Sequence, residues 1–331
     1  MEKIAVDPDF YSIATGFGTD PQDFQSETTS IASSIARGRL ENGRRYQATK
    51  EDDYWGPSDE QQFEAFEIGH MVFLVLDFNQ PNPLFRAPIG DSPKHILDIG
   101  TGQGSWAIDV ADRYPSATVR GVDIFPPPVS WMPPNCVFEV DDVLREWTWR
   151  DSFDFIHMRL MYGAFPPEGW DQLYKQAFDA LEPGGWIEQM EFDVRVSSDD
   201  DAPSELDGRS TSMKPCAAQL RRPDSWMCTR KKYKIPLGPW PKDKLLKEVG
   251  HLQDAHWNAA LEGWAMWLLT HFGEPEPWTK EEVQVFLAKV RIELKDPYIH
   301  AYNPAHRVWA RKPTLDELEA KEATFKAETS P

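Results

Sequence analysis

Cysteine is scarce. The three in 331 residues are Cys136, Cys216 and Cys228; they form no C-x-x-C pair and no even framework, which argues against a disulfide scaffold and a structural zinc and fits a reducing compartment. They read as inert thiols packed as small hydrophobes. Long hydrophobic runs are missing as well. The most apolar short run, Met71 to Leu76, is far below the roughly 20 residues that span a bilayer, and acidic residues stand near the N-terminus where a signal peptide carries basic ones. Positive charge is the third shortage. Against 54 Asp+Glu there are 35 Lys+Arg, a formal net charge of −19, so the average surface repels phosphate backbones and anionic lipid heads. Histidine pairs at ligand spacing are absent too: His251 and His256 have no acidic partner in register, and no H-x-x-x-H occurs, which argues against a metal site. The expectation is a soluble protein of the cytoplasm or nucleus, without direct nucleic-acid, membrane or metal partners.

What is present has an order along the chain, with no internal repeat. The length allows one large domain or two small ones, and either buries a sizeable core. Residues 1–27 lack a period and read as a loose tail. Ile31 and Ile35 lie one helical turn apart, and Gln61 to Phe78 is apolar-rich and helical in its first half, so residues 28–92 read as a helical cap ahead of a sheet. Beyond Pro93 strand-like runs at 95–99, 118–122, 136–140, 153–158 and 185–190 alternate with helical stretches. That alternation predicts a parallel sheet covered by helices over residues 93–196. Residues 197–232, with Asp199-Asp200-Asp201 and scattered Pro and Ser, read as an irregular segment. In 233–312 helical spacing returns at Lys242 to Phe272 and Thr279 to Lys295, the latter opened by the Thr279/Glu282 capping-box pattern. A last strand follows at 304–312, and then a charged helical tail over 313–331.

The strongest chemical signal is Ile96-Leu97-Asp98-Ile99-Gly100-Thr101-Gly102-Gln103-Gly104 followed by the helix-like Ser105 to Arg113: a buried strand, a glycine turn and a helix start. Glycines let the backbone approach a ligand, and the free N–H groups of the new helix face it. The dinucleotide turn G-x-G-x-x-G requires glycine at 105, where this chain has Ser105, so NAD is disfavoured. Asp98 adds to this, because a carboxylate beside the turn repels a pyrophosphate and attracts a cationic amino-acid end. S-adenosylmethionine (SAM) has such an ammonium and no phosphate. Asp123 ends the next strand-like run 19 residues past Gly104, near the roughly 20 expected of a ribose-binding acid. Asp141 and Asp142 end the third, where either carboxylate can accept from an adenine amino group. Each feature alone is a common turn or cap; the three in this order point to a SAM site at Asp98, Gly100, Gly102, Gly104, Asp123, Asp141 and Asp142.

For the acceptor side the candidates are His157, Met158, Arg159 and Tyr162, since ligands of open α/β sheets sit beyond the carboxyl ends of strands. His157 reads either as a base or as a hydrogen-bonded structural residue, and no catalytic base is assigned. Trp257, Trp264, Trp267 and Trp278 suit either a flat substrate or the packing of a helix, the latter favoured by the shared face of 257, 264 and 267. Arg44, Arg45 and Tyr46 suit either acid pairing over the cofactor or a surface helix with solvated arginines.

These residues sit in stretches that together resemble the fungal LaeA-like methyltransferases: SSIARGRLENGRRYQA, ILDIGTGQGSWAIDVADRYPSATVRGVDI, VSWMPPNCVFEVDD, DSFDFIHMRL, LEPGGWIEQME, IPLGPWPKD and ELKDPYIHAYNP. The resemblance runs from about Thr28 to Lys312 with a gap near the middle. It implies a Rossmann-like α/β fold with a seven-stranded, mostly parallel sheet whose last strand is antiparallel, and helical caps that shape the acceptor pocket. It also implies SAM at Asp98, Gly100, Gly102, Asp123 and Asp141 or Asp142. Between the fifth strand and IPLGPW the chain departs from that family's amphipathic helix and Gly-Phe strand entry, carrying DDDAPSELDGRSTSMKPCAAQLRRPDSWMC instead and leaving the sixth strand without its usual signal. The expected function is methylation of a small-molecule acceptor in fungal secondary metabolism. Two alternatives share the pocket: a LaeA-like regulator with a protein partner, and an enzyme that uses bound SAM for a cyclisation without methyl transfer.

Overall fold

The computed structural model describes residues 37–48, 54–193, 195–198, 227–296 and 299–320. The expected tail 1–27, Ile31 and Ile35, the stretch 199–226 and the chain beyond 320 lie outside the described residues.

The first element is a hairpin rather than a surface helix. Strands β1 (Arg39–Glu41) and β2 (Arg44–Tyr46) pair antiparallel across Asn42-Gly43, whose φ values of 51° and 85° make the tight turn that Asn-Gly favours. Helix α1 (Glu60–Leu76) follows, N-capped by Asp59, whose side chain accepts from the Gln62 amide. The same carboxylate takes a two-pronged bond from Arg44 at 2.7 and 2.8 Å and the Arg45 amide at 3.2 Å. Burial alone would raise the Asp59 pKa, but Arg44 and the two amides hold it below its ordinary value. One carboxylate thus fastens the hairpin to the start of α1, and Arg44 is buried rather than solvated.

The expected alternation follows: β3 (His95–Ile99), α2 (Ser105–Arg113), β4 (Thr118–Asp123), β5 (Cys136–Val140), β6 (Phe153–Arg159), α3 (Pro167–Ala180) and β7 (Leu181–Phe192). They pair in the order β5-β4-β3-β6-β7, all parallel. Alternate residues serve opposite faces. Ile96, Val119 and Phe155 pack against Trp106, Ala107 and Val110 of α2, while Leu97, Ile99, Ile156, Met158 and Ile187 pack against Trp170 and Leu173 of α3.

Two further strands stand where an irregular segment was expected. β9 (Met227–Pro236) pairs antiparallel along one side of the final strand β10 (Ala301–Arg311), and β7 and the two-residue β8 (Ser197–Ser198) pair antiparallel along the other. Among the described residues the sheet has eight strands; with the two-residue β8 set apart they are the expected seven. β9 reads MCTRKKYKIP; its lysines and arginine suit a sheet edge and hide the period that marks a strand.

Helix α4 (Lys244–Phe272) lies along α1, where buried His256 bonds through Nδ1 to the Ala65 carbonyl at 2.7 Å. Helix α5 (Lys280–Glu293) opens with the expected Thr279/Glu282 capping box. Trp257, Trp264 and Trp278 pack around Leu261, Met266, Val283 and Leu287 between α4 and α5, so they serve packing and do not reach the cavity described below. The end of α1 is tied to the sheet through Arg307, which bridges Asp77 and Glu188 at 3.0 Å each with all three side chains buried. Among the described residues no helix is long and apolar enough to cross a membrane.

Candidate active site

Strand β3 has β4 on one side and β6 on the other, so the connections diverge there and open a crevice at the carboxyl ends of the strands. A cavity occupies it. The glycine turn, the strand ends Asp98, Asp123, His157 and Arg159, the post-strand acids Asp141 and Asp142, and the cap residues Tyr54, Ser58, Phe63, Phe66 and His70 all line it.

The turn needs its glycines. Gly100, Gly102 and Gly104 have φ of 68°, 58° and 90°, in the left-handed region that L side chains avoid. A Cβ on Gly100 would overlap Met161 Sδ, and one on Gly104 would overlap the Phe138 ring. Gly104 itself is the N-cap of α2 and does not line the cavity; its contribution is conformational.

Asp98 is buried, with Oδ2 accepting from the Thr101 hydroxyl and Oδ1 bonded to His157 Nδ1, each at 2.8 Å. His157 is its register partner on β6 and stacks on Trp106 with ring centroids 3.7 Å apart. Burial, reinforced by Arg159 and Arg307 and opposed by Asp98, pushes the His157 pKa down to about 4. Its imidazole is neutral at pH 7, and the proton on Nδ1 belongs to the bond with Asp98. That bond fixes the orientation of the Asp98 carboxylate.

Asp123 accepts from the Gly102 amide at 2.8 Å and the Phe125 amide at 3.3 Å. Burial chiefly, and Asp98 further, push its pKa up to about 6 against the pull of these amides. Asp141 is exposed and accepts from the Asp142 amide at 2.7 Å; the more buried Asp142 accepts from the Leu144 amide at 3.0 Å. Both face the cavity.

The acceptor-side candidates divide by strand alternation. Arg159 lies on the cavity face with His157, whereas Met158 points the other way into the core under α3 and is fully buried. Tyr162 does not line the cavity either. Its neighbour Met161 does, held by a backbone in which Leu160 has φ of 56° and the Met161 and Tyr162 amides donate to Glu191 at 3.0 and 3.1 Å. A bulky residue in that region costs of order 1–3 kcal/mol and persists where the surroundings enforce it. Buried Glu191, its pKa pushed up to about 7 by that burial, is the enforcing group.

The residues sequence reasoning missed come from the cap and the turn. Gln103 Nε2 and Ser105 Oγ both donate to Glu67 of α1, and an aromatic wall of Phe63, Phe66 and Phe125 closes the cavity, Phe63 lying 6.3 and 6.1 Å from the other two. Only a Glu one turn from the Phe63/Phe66 pair could have hinted at this contact.

The donor set fits SAM. Carboxylates stand on three successive strand ends, where they repel a pyrophosphate, and Gln103 Oε1 and Ser58 Oγ are buried without a hydrogen-bond partner among the described residues. An orphaned carbonyl oxygen lining the same cavity as Asp98 is an acceptor for an ammonium.

A family model described as a methyltransferase domain matches residues 77–273. The chain is 34% identical over 309 residues to the methyltransferase pytC of Aspergillus terreus, covering 88% of this chain and 93% of that protein. It is 33% identical over 295 residues to the protein-methionine methyltransferase laeA of Emericella nidulans, covering 82% and 76%. Among solved structures, the Haemonchus contortus phosphoethanolamine N-methyltransferase 2 bound to phosphomonomethylethanolamine and S-adenosylhomocysteine is 14% identical with a TM-score of 0.45, over 80% of this chain and 58% of that one. With the sheet, the glycine turn and the strand-end acids in place, the chain belongs to the LaeA-like group of SAM-dependent methyltransferases.

Proposed function

We propose that the chain transfers a methyl group from SAM to a nucleophilic atom of a small, flat, largely apolar molecule of fungal secondary metabolism. The observation that carries the acceptor class is the wall of the cavity: Tyr54, Phe63, Phe66, Phe125 and Phe165 supply ring surface, and Met161 a thioether, a lining suited to an aromatic or polyketide-like ligand. Bound SAM supplies a methyl group already activated on a sulfonium, so the protein's part is orientation more than proton transfer. In this reading Asp123 takes the ribose hydroxyls, Asp141 or Asp142 the adenine amino group, and Asp98, fixed by His157, with Gln103 the ammonium. Ser58 Oγ is the polar group in the cap left to bond an acceptor.

A second reading is favoured by apolar side chains on the outer face of α4 and α5, where Phe272, Val285, Phe286 and Ile292 are exposed and suit a protein partner. In it the chain acts as a regulator, as several relatives are named. One experiment addresses both: incubation with SAM and a fungal metabolite extract, followed by mass spectrometry. A metabolite heavier by one methyl group together with S-adenosylhomocysteine supports the enzyme. No methylated metabolite, with S-adenosylhomocysteine formed only when a second fungal protein is added and the methyl group found on that protein, supports the regulator. A rearranged product of unchanged mass with SAM intact would contradict methyl transfer.

A further inference from the structure

Arg159 is a cation facing the cavity without a carboxylate at salt-bridge distance among the described residues. Its guanidinium lies 4.8 Å from the centre of the Phe73 ring and donates through Nη2 to His70 Nδ1 at 3.0 Å. His70 in turn meets Asp109 Oδ2 through Nε2 at 2.9 Å. The donors fix the tautomer: a guanidinium has no lone pair to offer, so His70 Nδ1 accepts, and the proton sits on Nε2 toward Asp109. Burial, with Arg159 contributing, lowers the His70 pKa, consistent with this neutral form. Three elements, α1, α2 and β6, therefore cooperate to aim one guanidinium, and a partly buried cation held this way is stabilised by an anion.

Its place across the sheet identifies that anion. In the order β5-β4-β3-β6, Asp141 and Asp142 follow β5, Asp123 ends β4, Asp98 lies near the end of β3 and Arg159 ends β6. Adjacent strands are about 4.8 Å apart, so Arg159 lies roughly 10 Å from the ribose side and next to Asp98. A carboxylate and a guanidinium side by side at one end of a cavity are complementary to an α-amino-acid zwitterion. We propose that Arg159, positioned by His70 and Asp109, binds the carboxylate of the cofactor's methionine end. This rests on the SAM reading and moves Arg159 from the acceptor to the cofactor.

The test is calorimetry on the full chain with two probes, S-adenosylhomocysteine and its decarboxylated analogue, which keeps the amine and loses only the carboxylate. A charged, fork-shaped bond predicts that the wild-type protein prefers S-adenosylhomocysteine by about 10- to 100-fold. Arg159→Gln should abolish that preference by weakening S-adenosylhomocysteine alone, and Arg159→Lys should restore part of it. Asp109→Ala, at a half-exposed position, removes the acceptor for His70 Nε2 and should reduce the preference by about 2- to 10-fold, as loss of one orienting hydrogen bond does. Equal losses for both probes in Arg159→Gln and Arg159→Lys, or unchanged S-adenosylhomocysteine affinity, would overturn the proposal, as would an unaltered preference in Asp109→Ala. A wild-type protein that binds neither probe would instead refute the cofactor reading itself, and the proposal with it.

Discussion

Asp98 and Asp123 stand near the ends of adjacent parallel strands, but their neighbours set them different tasks. Asp98 has one oxygen committed to Thr101 and the other to His157, so it is a rigid, preoriented anion. Asp123 is held only by backbone amides and is raised to about 6 by burial and by Asp98. A carboxyl whose pKa is higher folded than unfolded stabilises the fold fully below the unfolded value, near 3.9, and that stabilisation is lost as pH rises to about 6. Ribose hydroxyls donate to the ionised form, so affinity runs the other way and should fall by up to about tenfold per pH unit below 6. Calorimetric titration of S-adenosylhomocysteine between pH 7.5 and 5 on the wild type and Asp123→Asn checks this: the variant should bind weakly with a flat profile. An equally steep profile in the variant would assign the titration to another group.

At the scale of elements, the hairpin and α1 form a cap whose attachment converges on Asp59. Removing that carboxylate deletes an N-cap, worth about 1 kcal/mol, and strands buried Arg44, which costs about 3–5 kcal/mol. Urea unfolding of Asp59→Ala should show a loss in that combined range, and Asp59→Ala with Arg44→Met should recover part of it. A loss below about 1 kcal/mol would mean that the cap is not held there. The hairpin was missed although Asn42-Gly43 is a strong two-residue turn signal, because three-residue strands give no period to recognise. β9 was hidden for a different reason: an edge strand carries charges that a sheet interior excludes. The inner parallel strands β3 and β6 were readable because they are buried on both faces and bounded by turns.

Over the whole molecule, the part of the site carried by contiguous sequence was readable and the part assembled from distant elements was not. The glycine turn and the acids at 98, 123, 141 and 142 lie in order along one strand-turn-helix pattern. His70, Asp109 and Arg159 meet only through the packing of α1 over the sheet, and Met158 was misassigned because strand alternation sends it into the core beside two cavity-facing neighbours. The central claim is the orientation of SAM across the strands, its amino-acid end toward β6 and its adenosine toward β4 and β5. Calorimetry with S-adenosylhomocysteine and with methylthioadenosine, which lacks the amino-acid end, on folded Asp98→Asn and Asp123→Asn proteins tests it directly. A charged hydrogen bond contributes about 1.5–3 kcal/mol, so each variant should bind S-adenosylhomocysteine about 10- to 150-fold more weakly. Methylthioadenosine should lose affinity in Asp123→Asn and keep it in Asp98→Asn; equal losses of methylthioadenosine affinity in the two variants would contradict this orientation.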